Sequence, residues 1–182
     1  MTSGKYVKEL DMTKHPEGGY YKEVYKHQTR ISINQFDNNT DVIGYEDRMT
    51  DRALATSIYF LLEKGDISHL HVLESDELWY FHDGEPLTIV MINPKGDGSG
   101  NLELKKVILG LNLSEGQKPQ VIVPAGMIFG SLIESNLPNC FSLVGCMVSL
   151  GFEFEDFRLV KKEELLPNLN EYEALIRRMC IE

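Results

Sequence analysis

The stretch from Gly65 to Gly84, GDISHLHVLESDELWYFHDG, carries most of the information on fold and site in this chain. It contains His69-Leu70-His71, followed by Glu77. Alternate residues of a β-strand point to the same face, so both histidines are predicted to face one cavity, with Glu77 joining them from the next strand. Two histidines and a carboxylate form a common metal-ligand set, and the same side chains can also transfer protons.

Outward from this stretch, short runs rich in apolar and β-branched residues alternate with turn residues. The predicted strands cover 18–25, 54–62, 69–73, 77–82, 87–92, 102–109, 120–123, 128–133 and 141–149. The polar segment 34–51 is predicted to be a long loop, and the glycine-rich segment 96–100 a hairpin loop rather than a phosphate-binding loop. Many short strands without intervening helices predict an all-β sandwich or barrel.

The C-terminal segment has a different pattern, with predicted helices at 161–166 and 170–179 separated by Pro167. Asn170 and Glu173 resemble a capping box at the start of the second helix. An apolar stripe is predicted to dock on the barrel, and it consists of Leu169, Tyr172, Leu175, Ile176 and Met179. We therefore expect one domain over 1–182, with a barrel core at about 12–160 and C-terminal helices at about 161–180.

Composition and charge exclude several classes of partner. The chain has 182 residues, 28 acidic and 18 basic, and a net charge of −10. Because no basic footprint is present, we expect neither nucleic acid nor an anionic membrane surface as a partner. No run is apolar enough for a membrane span and no signal peptide is recognisable, so a cytoplasmic location is expected. The three cysteines include no CxxC pair, which predicts buried thiols rather than disulfides.

A second motif precedes the first long strand, at His15 to Tyr20, with the sequence HPEGGY. Paired glycines suit a backbone with positive φ or a close approach to another chain segment. Tyr20 and Glu23 are candidates for an acid/base pair at the mouth of a cavity. A tight turn that leads into the strand, capped by His15, is the simpler interpretation and the one favoured by the residues alone.

Five sequence segments, taken as a set, are highly specific for one protein family. They are HPEGGYYKEVY at 15–25, SIYFLL at 57–62, the stretch 68–84, VPAG at 123–126 and GFEFEDF at 151–157. On these motifs the chain resembles the Cupin_5 family, also called DUF985, of the cupin superfamily over about Met12 to Val160. The resemblance implies a double-stranded β-helix, the jelly-roll barrel of RmlC-like cupins, with a short C-terminal helical tail. It also implies a homodimer, but no established activity.

The wider superfamily includes nucleotide-sugar epimerases, sugar-phosphate isomerases, dioxygenases, storage proteins and hormone-binding proteins. This chain departs from the superfamily pattern at two places. Five residues separate His71 from Glu77, one more than the common spacing, and Phe129 stands where the second motif usually has a histidine. Most members of the family have only the histidine that matches His71. Both departures argue against metal-dependent chemistry.

Trp79 and Phe129 are predicted to form aromatic walls of the pocket, although Trp79 is equally compatible with ordinary barrel core. Three hypotheses follow for the function of this pocket. The first is a pocket for a small sugar-like or polar organic ligand, with metal-independent epimerase or isomerase activity that requires no cofactor. His71 is then the base, Glu77 orients it, and Tyr20, Tyr59 or Tyr80 returns a proton. The second is an enzyme with a divalent metal bound by His69, His71 and Glu77. The third is a small-molecule-binding protein without catalysis.

Overall fold

The computed structural model describes residues 2–33, 50–96 and 102–181. The predicted loop at 34–51 and the predicted hairpin loop at 96–100 lie largely outside these residues. Within the described ranges, none of the helices combines the length and apolar character that crossing a membrane requires.

Thirteen strands and three α-helices are present in the described residues. The strands are β1 Thr13–Lys14, β2 Tyr20–Lys26, β3 Arg30–Ile33, β4 Thr50–Ala53, β5 Thr56–Glu63, β6 Ile67–Val72, β7 Asp76–Gly84, β8 Leu87–Asn93, β9 Glu103–Leu109, β10 Gln120–Val123, β11 Ile128–Leu132, β12 Phe141–Ser149 and β13 Arg158–Leu159. The α-helices are α1 Ser3–Glu9, α2 Lys162–Leu165 and α3 Glu173–Met179. Short 3-10 turns lie at Leu113–Glu115, Phe154–Asp156 and Asn170–Tyr172.

Two antiparallel sheets form the body of the molecule, which confirms the predicted all-β jelly roll. The six-stranded sheet has the order β1-β2-β5-β12-β7-β10, and the five-stranded sheet has the order β13-β6-β11-β8-β9. Neighbouring strands in these orders are often distant in sequence, as expected when strands cross between two facing sheets. A separate two-stranded sheet pairs β3 with β4.

The side chains of β8 alternate between the two faces of the five-stranded sheet. Leu87, Ile89 and Met91 belong to the core cluster between the two sheets. Val90 and Ile92 belong instead to a second cluster, under the C-terminal helices. Because both faces of this strand are covered, its sequence is continuously apolar rather than alternating.

The C-terminal segment docks on the outer face of the five-stranded sheet, as the apolar stripe predicts. Ile176 and Met179 of α3 are buried against Leu70 and Val90 of that sheet. The predicted capping box at Asn170 is wrong, because that residue begins a 3-10 turn and α3 starts only at Glu173. The helix α1 has no counterpart in the sequence-based prediction.

Candidate functional site

A cavity of about 270 Å³ opens on the inner face of the six-stranded sheet. Its walls come from β2, β5, β7 and β12, with further residues from β6, from the turn before β2 and from the segment after β12. The polar side chains that line it are His15, Glu17, Glu23, Thr56, His71, Glu77 and Cys146. Five aromatic side chains also line it, namely Tyr21, Phe60, Trp79, Phe152 and Phe154.

The turn before β2 places Glu17 inside the barrel. The backbone N–H of Gly18 donates to the carbonyl of His15 at 3.0 Å, and the N–H of His15 donates to the carbonyl of Gly19 at 3.1 Å. The turn lies against β6, because the backbone N–H of His69 donates to the carbonyl of Glu17 at 2.9 Å. Gly18 has a φ of +116°, and a Cβ atom at this position would overlap the carbonyl oxygen of Ile67. Only glycine permits this close approach.

An irregularity in β6 determines which of its side chains reach the cavity. In the pairing with β11, Phe129 lies opposite His71 and Ser131 lies opposite Ser68, so one residue of β11 spans two residues of β6. This is the pattern of a β-bulge at positions 69 and 70. The bulge interrupts the strict alternation of the strand, and it turns Ser68 and His71 to the same inner face.

Strict alternation along β6 predicts that His69 faces the cavity, and because of the bulge this prediction is wrong. The Nδ1–H of His69 donates to the backbone carbonyl of Glu17 at 2.7 Å, and its side chain does not line the cavity. His69, His71 and Glu77 are not brought together as metal ligands. Among residues 2–33, 50–96 and 102–181, no group of three or more His, Cys, Asp or Glu side chains is arranged to hold a metal ion. The donor set thus does not fit the divalent metal of the second hypothesis.

The His71 imidazole is fixed in one orientation. Its Nδ1 lies 2.7 Å from the backbone carbonyl oxygen of His69, and because a carbonyl can only accept, Nδ1 carries the proton. Nε2 is then the nitrogen that faces the cavity, 3.5 Å from Oε2 of Glu17. The ring packs against Phe129 with the centroids 4.1 Å apart, and only 2% of His71 is exposed.

Glu17 is the carboxylate that connects both histidines of the cavity. Its Oε1 accepts from the hydroxyl of Ser68 at 2.7 Å, while Oε2 lies 3.5 Å from Nδ1 of His15 and 3.5 Å from Nε2 of His71. The backbone N–H of Glu17 donates to Nδ1 of His15, so this nitrogen is unprotonated. Burial lowers the pKa of His15; the Glu17 carboxylate opposes this shift, and His71 adds to it. His15 is thus a neutral imidazole near pH 7.

Glu77 is buried in the wall of the cavity, in contact with Trp79 and Cys146. The indole N–H of Trp79 donates to Oε2 of Glu77 at 2.9 Å. Burial raises the pKa of Glu77 to about 8, the charge of Glu17 contributes to the rise, and the hydrogen bonds from Trp79 and Cys146 oppose it. Glu77 is consequently a neutral carboxylic acid at pH 7. Burial also raises the pKa of the Cys146 thiol well above its usual value, with contributions from Glu77 and Glu17.

The three tyrosines that the sequence suggested as proton donors, Tyr20, Tyr59 and Tyr80, do not line the cavity. Tyr20 and Tyr59 pack in a cluster with residues of α1 on the outer face of the six-stranded sheet, and the Lys14 ammonium lies 3.7 Å from the centre of the Tyr20 ring. Tyr80 is not among the residues that line the cavity either, whereas Tyr21 is. Tyr21 stands directly opposite Phe60 in β5, and directly opposed residues of paired strands share a face.

The remaining sequence candidates lie in or beside the cavity. Glu23 lines it and is exposed, which places this carboxylate at the mouth. Trp79 lines it and is only 1% exposed. Phe129 is not in the lining: it is buried behind His71, with its ring 6.4 Å from that of Trp79. The ring therefore supports the imidazole from behind.

The segment after β12 forms part of the mouth. Phe152 and Phe154 line the cavity, and the N–H of Phe152 donates to the Thr56 hydroxyl at 2.9 Å. Two sets of ion pairs hold the segment in place. Glu153 lies 2.9 Å from the ammonium of Lys26 and 3.5 Å from the guanidinium of Arg30, and Asp156 pairs with the buried Arg52.

Sequence reasoning missed Glu17 and His15 as cavity residues. Both belong to the HPEGGY motif, and the paired glycines were the available signal that this turn approaches another strand closely. Gly130 was a second signal, since glycine within a strand often marks a bulge. It lies opposite the bulge of β6, and a Cβ atom there would overlap the carbonyl oxygen of Ser68.

Two solved structures are similar to this chain over its whole length. Protein SO0799 from Shewanella oneidensis is 40% identical, with a TM-score of 0.78, and the match covers 100% of this chain and 98% of that one. A hypothetical protein from Leishmania major is 32% identical, with a TM-score of 0.81 and 100% coverage of both chains. A cupin 2 domain-containing protein from Halorhodospira halophila, 12% identical with a TM-score of 0.53, covers 93% of this chain and 88% of its own. This third likeness concerns the fold alone.

Sequence comparison agrees with these structural similarities. The chain is 27% identical over 178 residues to the uncharacterized protein YML079W of Saccharomyces cerevisiae, covering 90% of this chain and 77% of the yeast protein. Residues 4–160 match the family described as Cupin_5, cupin superfamily (DUF985). With this match the chain belongs to the Cupin_5 (DUF985) family of the cupin superfamily, and its yeast and Leishmania relatives are themselves uncharacterised.

Proposed function

We propose that the cavity binds a small polar organic molecule and transfers a proton on it without a metal, as an epimerase or isomerase acting at a carbon next to a carbonyl. The observation that carries the proposal is the pairing of two different groups in one cavity. One is the His71 imidazole, whose Nε2 faces the Glu17 carboxylate. The other is Glu77, a buried acid with a pKa of about 8. A base and a neutral acid that reach the same bound molecule can move protons between its carbon and oxygen atoms.

His71 is the base in this scheme. Its Nδ1–H is held by the carbonyl of His69, which leaves Nε2 to accept the proton of the substrate C–H bond. The imidazolium that forms is stabilised by the Glu17 carboxylate at 3.5 Å. Glu17 thus has the orienting and charge-balancing role that the sequence analysis gave to Glu77.

Glu77 is the acid. As a neutral carboxylic acid it donates its proton to the carbonyl oxygen of the substrate while His71 removes the proton from the neighbouring carbon, and an enediol results. In the second half of the reaction His71 gives its proton to the carbon that carried the carbonyl group, and Glu77 recovers a proton from the hydroxyl group on the neighbouring carbon, which becomes the new carbonyl. Neither half requires a redox partner, since no electrons leave the substrate.

The test is deuterium incorporation from D₂O into unphosphorylated aldoses and ketoses, followed by NMR. We expect exchange at the carbon next to the carbonyl, unaffected by a chelator, and at least about 100-fold slower in His71→Gln. The matched control is His82→Gln, because His82 is exposed and does not line the cavity. Undiminished exchange in His71→Gln would contradict the assignment of the base.

A second candidate function is binding without catalysis. It is favoured by the five aromatic side chains of the lining and by the engagement of Glu77 with Trp79. Aromatic walls with a few placed polar groups are typical of binding pockets in general. A sugar that binds the cavity but shows no deuterium incorporation in the same experiment would assign the protein to this class.

The homodimer expected from the resemblance remains a prediction, as does the cytoplasmic location. Exposed apolar side chains that a second copy could cover are present near the edge strand β10, at Leu111, Leu113 and Ile122. An edge strand with unpaired backbone groups is a common place for pairing between subunits.

A further inference from the structure

Among the described residues, the wall of the cavity carries acidic groups and no fixed positive charge. Glu17, Glu23 and Glu77 line it, and within the described part of the chain no Lys or Arg does. A phosphate or carboxylate that enters this site loses water without gaining a cationic partner, which is costly in a partly enclosed space. The net charge of −10 for the whole chain adds to the repulsion of anions.

The basic side chains that contact the segment after β12, at the mouth of the cavity, are engaged with acidic partners. Lys26 and Arg30 pair with Glu153, and Arg30 also pairs with Asp51 at 2.6 Å. Arg52 pairs with Asp156. A ligand phosphate at the mouth would have to compete with these carboxylates for each guanidinium or ammonium group.

The apolar part of the wall favours a cation for a separate reason. The aromatic rings of five residues line the same cavity as the acidic groups, namely Tyr21, Phe60, Trp79, Phe152 and Phe154. The face of an aromatic ring carries a negative quadrupole potential, so it attracts ammonium groups, and more strongly where water is excluded. Carboxylates combined with aromatic faces are the usual chemistry for holding an organic ammonium ion.

The size of the cavity limits the ligand further. Its volume of about 270 Å³ is at the lower end of ligand pockets. A molecule of about monosaccharide size matches this volume, whereas much of a nucleotide-linked sugar would lie outside it.

We propose that the ligand of this cavity is a small, unphosphorylated organic ammonium compound of about monosaccharide size, an amino sugar in the sugar-like class. This inference names the ligand class and rests on the proposed function only in using the same cavity. The ammonium group lies between the Glu17 and Glu23 carboxylates and the aromatic rings, and the remainder of the molecule extends toward His71 and Glu77.

The experiment is calorimetric titration of the full-length protein with glucosamine, glucose and glucose 6-phosphate at about pH 6.5, where an amine of this kind is protonated. We expect glucosamine to bind at least about tenfold more tightly than glucose, and glucose 6-phosphate to show no binding over the same concentration range. Added salt is expected to weaken the binding of glucosamine.

Charge reversal at the mouth supplies the matched variants. Glu23→Lys is expected to lower the affinity for glucosamine at least about tenfold and to introduce measurable binding of glucose 6-phosphate. Glu171→Lys changes the net charge equally, at an exposed position in the C-terminal tail, and is expected to leave both affinities unchanged. Equal effects of the two variants would mean that only the overall charge matters, and would overturn the proposal.

Failure of glucosamine to bind, or equal or tighter binding of glucose 6-phosphate, would also overturn the ligand class. The outcome is separate from that of the deuterium experiment. Binding of glucosamine without deuterium incorporation leaves the ligand class standing and ends the catalytic proposal. Deuterium incorporation into a neutral sugar, without binding of glucosamine, would support the catalytic proposal and end the proposed ligand class.

Discussion

Replacing Glu77 with glutamine is expected to stabilise the protein at pH 9 by about 5 kcal/mol relative to the wild type. Burial, assisted by the charge of Glu17, raises the pKa of Glu77 from 4.5 to about 8. A rise of this size corresponds to about 5 kcal/mol, because one pH unit is about 1.4 kcal/mol. Above pH 8 the folded wild type must hold a buried carboxylate ion, whereas the glutamine amide in the variant carries no charge.

The direction of the pH dependence follows from proton binding. Between pH 4.5 and about 8 the folded state keeps the Glu77 proton and the unfolded state loses it. The free energy of unfolding of the wild type therefore falls as the pH rises through this window, by the contribution of this one group. Below pH 4.5 the acid is protonated in both states, so wild type and Glu77→Gln should have similar stability.

Urea denaturation at pH 4, 6, 7.5 and 9 measures the effect as a difference between wild type and variant, which cancels the titration of other groups. Glu103→Gln is the control, because Glu103 is exposed and does not line the cavity. A Glu77→Gln difference that is constant over this pH range would contradict the assignment of Glu77 as a buried neutral acid.

Gly18→Ala is expected to destabilise the fold by about 4 kcal/mol. An alanine at a φ of +116° is strained, and its Cβ would overlap the backbone oxygen of Ile67, which cannot rotate away. The turn must then move off β6, and the hydrogen bond from the N–H of His69 to the Glu17 carbonyl is lengthened. The same movement withdraws the Glu17 carboxylate from His71, so ligand binding should decrease together with stability.

Gly65→Ala is the matched control for backbone strain alone. Gly65 has a φ of +91°, but a Cβ at this position meets nothing within 4 Å. We expect a loss of about 1 kcal/mol for this variant, measured by thermal and urea denaturation. Similar losses for the two variants would show that the contact between the turn and β6 contributes little.

The strand pattern was predictable because short runs of apolar and β-branched residues are separated by turn residues along the chain. Both the position and the ends of β10 and β12 agree with the prediction. Prolines at 119 and 124 bound β10, and Asn139 and Gly151 lie within two residues of the ends of β12. Alternation also assigned Glu77 and Trp79 to one face, and the structure places both in the cavity wall. These features depend on local sequence, which is why a single chain reveals them.

The features that the sequence did not reveal depend on contacts between distant segments. The bulge in β6 exists because β11 approaches closely at Gly130, and it separates His69 from the cavity. Glu17 enters the barrel because the turn that carries it packs on β6, and no spacing rule connects position 17 with position 71. Tyr21 rather than Tyr20 lines the cavity because of the register of β2 against β5.

The most direct test of the central claim, a neutral Glu77 acid in the wall of the cavity, uses intrinsic fluorescence. Trp79 is the only tryptophan in the chain, and its indole N–H donates to Glu77, so its emission reports the charge of this carboxyl group. The measurement is a fluorescence titration of the wild type and of Glu77→Gln between pH 5 and 9.5. The account predicts a transition with its midpoint at about pH 8 in the wild type and none in the variant. A wild-type titration without a transition in this range, or a transition that persists in Glu77→Gln, would contradict it.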